Sequence, residues 1–450
     1  MMPQPLNALI QAAQAYLPPE TDLRPLEQTY AQAAALRANR PHPEGTQPLE
    51  HDAAVARILA ELQQDVPCLR AGLLHDVLEE NLCDQEHLRA IAGEEVAKLV
   101  QAVSTLNRAS FHGSEAARAE HMREMILAST RDLRVILLLL ADRLDTLRRA
   151  AHLPPPDRKG LARETQVIFA PIAHRLGIHA FKSEMEDLSF CFLQPEAFER
   201  VRSGVQLRVG QQKRRIGQIN DELTALLKDN GVESEVLGRA KHLYSVHSKM
   251  LRNKVGLDEI HDLLATRIIV QGIGDCYRVL GLIHARYTPI PGRFKDYIAL
   301  PKENGYQSLH TQVFGSEGDI FEIQIRTHEM QDMAEMGIAA HFAYKHGLTA
   351  VEKELASIAW FRRLLENLQE GQDPRESLDL LERDLTPEEI FVFTPTGEVI
   401  KLPHGATPID FAYAVHTQVG NRCTGAKVDG RMLSIRTALR TGNVVEIRTS

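Results

Sequence analysis

The pattern of apolar and polar positions changes twice along the chain and predicts three kinds of structure. Up to about Phe198, apolar residues recur at the three- and four-residue spacing of amphipathic helices. Helix-breaking prolines interrupt this periodicity at Pro18-Pro19, from Pro41 to Pro48 and from Pro154 to Pro156. These features predict an all-α first domain at residues 1–195.

The middle of the chain, residues 196–345, mixes helical stretches with apolar strands. In the segment from Phe321 to Arg326, every second residue is apolar, as in a strand with one buried face. The other face of that strand carries a carboxylate, an amide and a guanidinium, at Glu322, Gln324 and Arg326. Asp262 ends a helical segment shortly before the apolar strand from Ile268 to Val270. We therefore predict a mixed α/β domain.

The last stretch begins with a polar region and ends in strand patterns. Residues 346–387 predict a helical linker, in which Trp360 and Phe361 are candidate docking anchors. Residues 388–450 predict a small domain of strands with one helix from Ile409 to Val415. The strand signals lie at Phe391 to Phe393, Val399 to Leu402 and Val444 to Ile447. The whole chain is thus predicted to be a multidomain α+β protein.

Composition limits the class of protein. A chain of 450 residues is long enough for two to four domains, and a net charge of -8 argues against a protein that binds nucleic acid over its whole surface. The five cysteines have no paired spacing, which fits a reducing compartment and excludes a cysteine zinc site. The sequence shows no targeting segment and no apolar run that could span a bilayer, so we expect a cytoplasmic protein without membrane contact.

The segment from Arg293 to Arg326 concentrates residues that handle nucleotides. Pro301 and Asn304-Gly305 predict a loop, on which Tyr306 could stack on a base. Basic side chains before and in this loop, at Arg293, Lys295 and Lys302, could bind phosphates. Glu322 could hold a divalent cation or accept a proton from a hydroxyl. The spacing alone fits equally well an amphipathic hairpin with a solvated charged face.

A second candidate site lies in the helical domain. His51, the pair His75-Asp76 and Asp142 border apolar helix faces. Two imidazoles and two carboxylates form a mixed nitrogen and oxygen set that suits manganese, iron or zinc. A single histidine or aspartate in such a position also fits a core residue with a hydrogen-bond partner.

These stretches resemble the RelA/SpoT (Rel) family of enzymes of the alarmones guanosine tetra- and pentaphosphate, (p)ppGpp. The resemblance rests on Arg-Phe-Lys-Asp at Arg293 to Asp296, and on Leu-Leu-His-Asp-Val-Leu-Glu-Glu around His75. It extends to Ile168 to Leu188 and to the Ala-Thr-Pro-Ile-Asp-Phe-Ala-Tyr segment that starts at Ala406. The resemblance implies an HD-type hydrolase domain, a nucleotidyltransferase-like synthetase domain and a β-grasp TGS domain.

For the second domain the resemblance implies transfer of pyrophosphate from ATP to the 3′ hydroxyl of GDP or GTP. Asp262 and Glu322 would then be the catalytic Mg²⁺ ligands, and Tyr306 would hold the guanine. The basic segment from Gly238 to Lys254 could also be a solvated helix face, but it resembles the ATP-binding segment of the family. The implied nucleotide-binding residues are Arg239, Lys241, Ser245, Lys249, Arg293, Lys295, Lys302, Asn304, Tyr306, Gln307, His310 and Gln324.

For the first domain the resemblance implies removal of the 3′ pyrophosphate at a Mn²⁺ site. The implied ligands are His51, His75, Asp76 and Asp142, with Glu79 and Glu80 as the acidic pair that orients the water. The chain departs from the family pattern at Glu80, at Thr146 in place of an asparagine, and at His42 in place of an arginine. We expect a metal-loaded hydrolase of reduced or altered efficiency.

For the third domain the resemblance implies binding of uncharged tRNA on the ribosome, with His416 as a contact. The residues themselves fit a simple amphipathic helix from Asp410 to His416. Longer family members continue with regulatory domains, so we expect a shortened chain. Two hypotheses follow: an enzyme that makes and hydrolyses (p)ppGpp, or a synthetase and ribosome sensor whose HD domain does not hydrolyse.

Overall fold

The computed structural model describes ten parts of the chain: residues 3–38, 48–108, 132–260, 264–302, 304–315, 320–340, 389–396, 398–403, 405–440 and 442–449. The chain divides into two compact units, Met1–Glu366 and Asn367–Ser450. The predicted linker at 346–387, with Trp360 and Phe361, lies outside the described residues.

Helices form all of the regular structure in residues 3–38, 48–108 and 132–229, so the predicted all-α character is confirmed there. They are α1 (Gln4–Gln14), α2 (Arg24–Arg37), α3 (Pro48–Glu61), α4 (Val66–Leu74), α5 (Gln85–Ala92), α6 (Glu94–Arg108), α7 (Leu133–Arg149), α8 (Pro155–Glu164), α9 (Ala170–Arg175), α10 (His179–Leu193) and α11 (Pro195–Asp229). A 3₁₀ turn at Ala150–His152 and a π-helical turn at Thr165–Phe169 join α7, α8 and α9.

Local chemistry sets where these helices begin. The side chains of Asp65, Asp84 and Asp132 each precede a helix and accept a hydrogen bond from a backbone N–H of its first turn. Helix α7 then runs from Val135 to Ala141 without an exposed residue, which makes it the centre of the helical core. This centre ends at Asp142, where the first candidate site begins.

A mixed sheet follows α11. Its elements are β1 (Ser234–Ala240), α12 (Leu243–Asn253), a 3₁₀ turn at Leu257–Glu259, β2 (Leu264–Val270), α13 (Ile273–Arg286), β3 (Thr288–Pro289), β4 (Lys295–Asp296), β5 (Leu309–Phe314), β6 (Ile320–Thr327), α14 (His328–Met336) and a 3₁₀ turn at Gly337–Ala339. The strand order is β1-β2-β6-β5-β3, and β4 also pairs with β5. Strands β2 and β6 run parallel, whereas the other pairs are antiparallel, so the predicted mixed α/β architecture is confirmed.

The two faces of β6 separate as the alternation predicts. Phe321, Ile323 and Ile325 enter a core that they share with Leu223 of α11 and Val279 of α13. The polar residues of β6 therefore lie on the opposite face of the sheet.

The helical part and the sheet part meet closely at a loop between α9 and α10. The N–H of Ile338 donates to the carbonyl oxygen of Leu176 at 2.9 Å. Gly337 has φ +57°, and a Cβ placed there would lie 2.1 Å from that same oxygen and 2.5 Å from the carbonyl carbon of Gly177. Only glycine fits this close approach of two backbones.

The second unit contains the hairpin β7 (Glu389–Phe393) and β8 (Val399–Pro403), helices α15 (Pro408–Val415) and α16 (Thr417–Asn421), and the sheet β10-β9-β11 of Arg431–Leu433, Cys423–Val428 and Val445–Thr449. A capping box between Thr407 and Asp410 starts α15, whose Phe411 is buried among residues of both sheets. The predicted β7, β8, β11 and α15 are confirmed to within about two residues. Strands β9 and β10 were not predicted, because they contain few apolar residues.

The described residues form no helix whose length and apolar character would allow it to cross a membrane.

Candidate active sites

Three helices bring the predicted metal ligands of the first site together. His51 lies on α3, His75 directly follows α4, and Asp142 lies on α7. The Nε2 atoms of His51 and His75 lie 3.3 Å and 3.6 Å from the same oxygen, Oδ1 of Asp142. One ligand atom from each residue can be chosen so that all lie within 4.8 Å of one another. A donor set of two imidazoles and a carboxylate at this spacing fits a divalent transition metal.

Outer hydrogen bonds fix which nitrogen of each imidazole faces this point. Nδ1 of His51 lies 2.7 Å from Oδ2 of Asp145, and Nδ1 of His75 lies 2.9 Å from the carbonyl oxygen of Gly72. Each Nδ1 therefore carries a proton that it donates outward, which leaves Nε2 as the ligand atom.

Without a metal ion, the carboxylates of the cluster keep protons on its two histidines. Burial opposes protonation of His75, but the carboxylates of Asp76 and Asp142 outweigh it and raise its pKa to about 10. Burial likewise opposes protonation of His51, and Asp142 and Asp145 raise its pKa to about 9. Burial and the neighbouring Asp76 raise the pKa of Asp52 to about 7. A metal ion would replace the protons as the source of positive charge.

Asp76, the fourth predicted ligand, is engaged by a residue that the sequence did not indicate. Its Oδ1 accepts a hydrogen bond from Nη2 of Arg37, at the end of α2. The same nitrogen donates to Oδ1 of Asp52 at 3.2 Å. Asp52, His75 and Asp76 form a second group whose ligand atoms lie within 4.8 Å of one another.

A signal for these two missed residues was present in the helical periodicity. Asp52 lies on the apolar stripe of α3 that includes Val55, Ala56 and Leu59. Arg37 ends the corresponding stripe of α2. A charged residue on a core-facing stripe requires a charged partner.

The residues around the cluster follow the prediction in part. Glu79 and Glu80 lie in the turn after α4, and burial raises the pKa of Glu79. The hydroxyl of Thr146 donates to Oδ1 of Asp142 at 3.2 Å, so it orients a predicted metal ligand. His42 lies outside the described residues.

The second site is a cleft of about 940 Å³ beside the sheet. It is lined by eight of the predicted nucleotide-binding and catalytic residues: Arg239, Lys241, Ser245, Lys302, Tyr306, His310, Glu322 and Gln324. Residues of α10, among them His179, Lys182 and Asp187, form the facing wall. Part of the charged face of the hairpin therefore lines a cleft.

Glu322 lies in a row of connected polar groups. Its Oε1 accepts a hydrogen bond from Nε2 of Gln324 at 2.8 Å and lies 3.6 Å from Nδ1 of His310. Arg326, at the other end of the row, is 1% exposed and donates to Oε1 of Gln324 at 2.9 Å. Burial and the cation Arg326 hold the pKa of His310 well below its usual range, so its imidazole is neutral.

Tyr306 is oriented from both sides of its hydroxyl. Nη2 of Arg326 donates to this oxygen at 2.8 Å. A guanidinium can only donate, so the hydroxyl proton points to Nε2 of His310, also 2.8 Å away. Nδ1 of His310 then carries the N–H, which faces Glu322. Arg326 was noticed in the sequence as part of the alternation, but its role in orienting Tyr306 was missed.

Other predicted residues lie at the edge of this cleft or apart from it. Lys295 pairs with His310 across β4 and β5, which places both side chains on one face of the sheet. Arg293 is exposed on the loop before β4, and Lys249 lies farther along α12. Asn304 donates to the carbonyl oxygen of His174 at 3.1 Å, and Gln307 donates to that of Ile298 at 3.2 Å. These two amides thus support the loop around Tyr306.

Asp262 lies outside the described residues, so its predicted pairing with Glu322 stays a prediction.

Two half-buried histidines, His174 and His179, lie where α9 and α10 meet the loop that carries Tyr306. Burial, with the charges of Lys182 and Lys302, lowers the pKa of His174 to about 3. Burial, with His174 and Lys302, lowers the pKa of His179 to about 2. Both are therefore neutral in the folded chain.

Comparison with known proteins finds three matching family models. Residues 238–349 match the model of the region found in RelA and SpoT proteins, residues 29–179 match an HD domain, and residues 390–449 match a TGS domain. The chain is 44% identical over 445 residues to the bifunctional (p)ppGpp synthase/hydrolase SpoT of Escherichia coli K12, which covers 99% of this chain. Residues 238–349 are therefore a RelA/SpoT region, in a chain that also has an HD domain and a TGS domain.

Two further relatives have a similar identity. The chain is 42% identical to a GTP pyrophosphokinase of Myxococcus xanthus, in an alignment that covers 96% of this chain. It is 43% identical to a GTP pyrophosphokinase of Streptomyces coelicolor, in an alignment that covers 95% of this chain. It spans 63%, 58% and 52% of the E. coli, M. xanthus and S. coelicolor proteins. Its HD and RelA/SpoT domains imply the use of divalent metal ions.

Proposed function

We propose that this chain makes (p)ppGpp by transferring pyrophosphate from ATP to the 3′ hydroxyl of GDP or GTP. The observation that carries the proposal is the cleft in which Glu322, Tyr306 and several cations face one another. A carboxylate that can accept a proton, an aromatic ring for a base and cations for phosphates are the groups that this transfer needs.

The residues of the cleft divide between the two nucleotides in this proposal. Tyr306, oriented by Arg326 and His310, stacks on the guanine. Glu322 accepts the proton of the attacking 3′ hydroxyl, and Nδ1 of neutral His310 faces the carboxylate from 3.6 Å.

Arg239 stacks on the adenine of ATP, and the basic residues of the cleft meet its phosphates. Lys241 and Ser245 lie on the side of β1 and α12, whereas Lys302 lies on the loop of Tyr306. Mg²⁺ held by Glu322 and Asp262 would neutralise charge on the phosphates. Lys249, Arg293 and Lys295 would extend the positive field at the cleft mouth.

We propose a second activity, hydrolysis of (p)ppGpp to GDP or GTP and pyrophosphate, at the cluster of the HD domain. The observation in its favour is that Nε2 of His51 and Nε2 of His75 converge on Oδ1 of Asp142. These residues and Asp76 would hold Mn²⁺, which supplies an activated water. Glu79 and Glu80 would orient that water and take up its proton.

The alternative is an HD domain that no longer hydrolyses, in a synthetase that senses the ribosome. The departures at Glu80 and His42 favour it, whereas the retained ligand geometry favours hydrolysis. Thr146 binds a predicted metal ligand, which supports a working site.

We also propose that the TGS domain binds uncharged tRNA on the ribosome through His416. This residue is exposed, and its Nδ1 accepts a hydrogen bond from the N–H of Gln418, so Nε2 is the nitrogen available to a partner. In this proposal residues 1–195, 196–345 and 388–450 are the hydrolase, synthetase and TGS domains, joined by the linker 346–387. The nucleotide substrates fit a protein that acts in the cytoplasm.

One experiment tests both activities. The chain is incubated with ATP, GDP and Mg²⁺, and separately with guanosine tetraphosphate and Mn²⁺, and the products are identified by ion-exchange chromatography. We expect guanosine tetraphosphate in the first reaction and GDP with pyrophosphate in the second. Asp76→Ala should abolish only the second reaction. If neither the unchanged chain nor Asp76→Ala hydrolyses guanosine tetraphosphate, and the unchanged chain binds no metal, the non-hydrolysing alternative is correct.

A further inference from the structure

Two buried charged residues beside the HD cluster are not among the four predicted metal ligands. Asp52 is 0% exposed and Arg37 is 3% exposed. Nη2 of Arg37 lies between the carboxylates of Asp52 and Asp76 and donates to both. A guanidinium thus occupies a position where two carboxylates could share a cation.

The pairing of these two residues is incomplete. Oδ2 of Asp52 lies 3.1 Å from the same Nη2, in a geometry that makes no hydrogen bond. Nε and Nη1 of Arg37 are buried and have no hydrogen-bond partner in the described part of the chain. A permanent buried ion pair normally satisfies such atoms, because leaving them unpaired is unfavourable.

His75 links Asp52 to the predicted metal site. It belongs to the group with His51 and Asp142 and to the group with Asp52 and Asp76. Its Nδ1 donates to the carbonyl oxygen of Gly72, so Nε2 is its one ligand atom. Because the two groups share this nitrogen, an ion bound to it lies beside both groups.

We infer that Asp52 is a further ligand of the cation at the HD cluster, and that Arg37 occupies the place between Asp52 and Asp76 until the ion binds. This inference rests on the proposed metal site of the hydrolase and adds a residue to it. The ion then competes with Arg37 for the two carboxylates. Removing Asp52 weakens metal binding, whereas removing the guanidinium strengthens it.

The test measures Mn²⁺ affinity directly. The full chain is stripped of metal with a chelator, and Mn²⁺ binding is followed by isothermal titration calorimetry and by the electron paramagnetic resonance signal of free Mn²⁺. Asp52→Asn should weaken binding at least about 10- to 100-fold, the loss that even outer partners of ligands cause. Glu50→Gln removes the same charge from an exposed position of α3 and should bind as the wild type does.

A second pair of variants separates a ligand from a structural ion pair. Arg37→Met should bind Mn²⁺ several-fold more tightly than the wild type and show a larger rise of its unfolding temperature on adding Mn²⁺. The double variant with Asp52→Asn removes both buried charges, so it should fold even where Asp52→Asn alone does not. It should lose the tighter binding.

Equal Mn²⁺ affinity of Arg37→Met and the double variant would overturn the inference and leave Asp52 as the counter-ion of Arg37. This outcome is distinct from failure of the proposed function. In that case the wild type itself would release no pyrophosphate from guanosine tetraphosphate, whatever its affinity for Mn²⁺.

Discussion

Replacing Tyr306 by phenylalanine separates two roles of this side chain. The substitution keeps the ring but deletes the oxygen that accepts from Arg326 and donates to Nε2 of His310, each at 2.8 Å. Arg326 retains Oε1 of Gln324 at 2.9 Å. His310 loses its partner at Nε2, so the proton can move between its nitrogens, and Nδ1–H no longer always faces Glu322.

The size of the effect follows from the hydrogen bonds that are lost. Leaving a buried polar atom without a partner costs about 1–3 kcal/mol. If that cost falls on the geometry of Glu322 during proton transfer, kcat decreases about 5- to 150-fold, because each 1.36 kcal/mol is a factor of about ten. The KM for GDP should stay near the wild-type value, because the ring that stacks on guanine remains.

Tyr306→Ala provides the contrast. It removes the ring as well, and stacking contributes about 1–3 kcal/mol per base, so the KM for GDP should rise by about the same 5- to 150-fold range. The assay is steady-state synthesis from ATP with varied GDP. Tyr413→Phe, in the other unit, removes a hydroxyl bonded to Asn421 and serves as control.

Two results would refute this reasoning. If Tyr306→Phe raises the KM for GDP as much as Tyr306→Ala does, the ring does not make the guanine contact. If Tyr306→Phe leaves kcat unchanged, the connection from Arg326 to Glu322 plays no part in the reaction.

Three further predictions concern the base, the half-buried histidines and the glycine junction. Glu322→Gln should lower synthesis about 100- to 10,000-fold and leave hydrolysis unchanged, with exposed Glu329→Gln as control; substantial synthesis in the variant would exclude Glu322 as the base. His174 and His179 stay neutral in the folded chain, whereas in the unfolded chain each binds a proton below its ordinary pKa of about 6.5. The free energy of unfolding should therefore be lower at pH 5 than at pH 7, by about 2 kcal/mol per histidine. Urea titrations should show a shallower pH dependence for His174→Gln, and an unchanged slope would contradict the assignment. Gly337→Ala should lower the free energy of unfolding by about 1–3 kcal/mol more than Gly231→Ala does, because Gly231 has a similar positive φ but no neighbour within 4 Å. Equal losses in the two variants would mean that the two backbones at Gly337 can move apart to accept the methyl group.

The sequence was sufficient for features that repeat along the chain. Helical periodicity predicted the helical domain, and the alternation from Phe321 to Arg326 predicted both faces of β6. The resemblance to the family supplied the ligand positions His51, His75 and Asp142, and the structure brings them together. These predictions succeed because each depends on spacing within one element or on a short motif.

The remaining features depend on contacts between distant parts of the chain. The meeting of Arg37 and Asp52 joins two helices, and neither residue has a neighbouring motif. Likewise Arg326 and Tyr306 are 20 residues apart, and the direction of their hydrogen bond follows only from the fold. The amides of Asn304 and Gln307 donate to backbone carbonyls, which the sequence did not indicate, and their predicted contact with nucleotide stays a prediction. Periodicity can show that a charged residue on a buried stripe needs a partner, but it does not show which residue is that partner.

The position of α10 limits how the chain can be divided into working pieces. This helix lies before residue 195, yet Lys182 and Asp187 line the cleft of the following domain. Oδ1 of Asp187 also accepts a hydrogen bond from the N–H of Tyr244 at 2.7 Å and so caps the first turn of α12. A fragment that begins after residue 195 would lose one wall of the cleft and the cap of the basic helix α12. The helix that ends the predicted first domain therefore also forms part of the cleft beside the sheet.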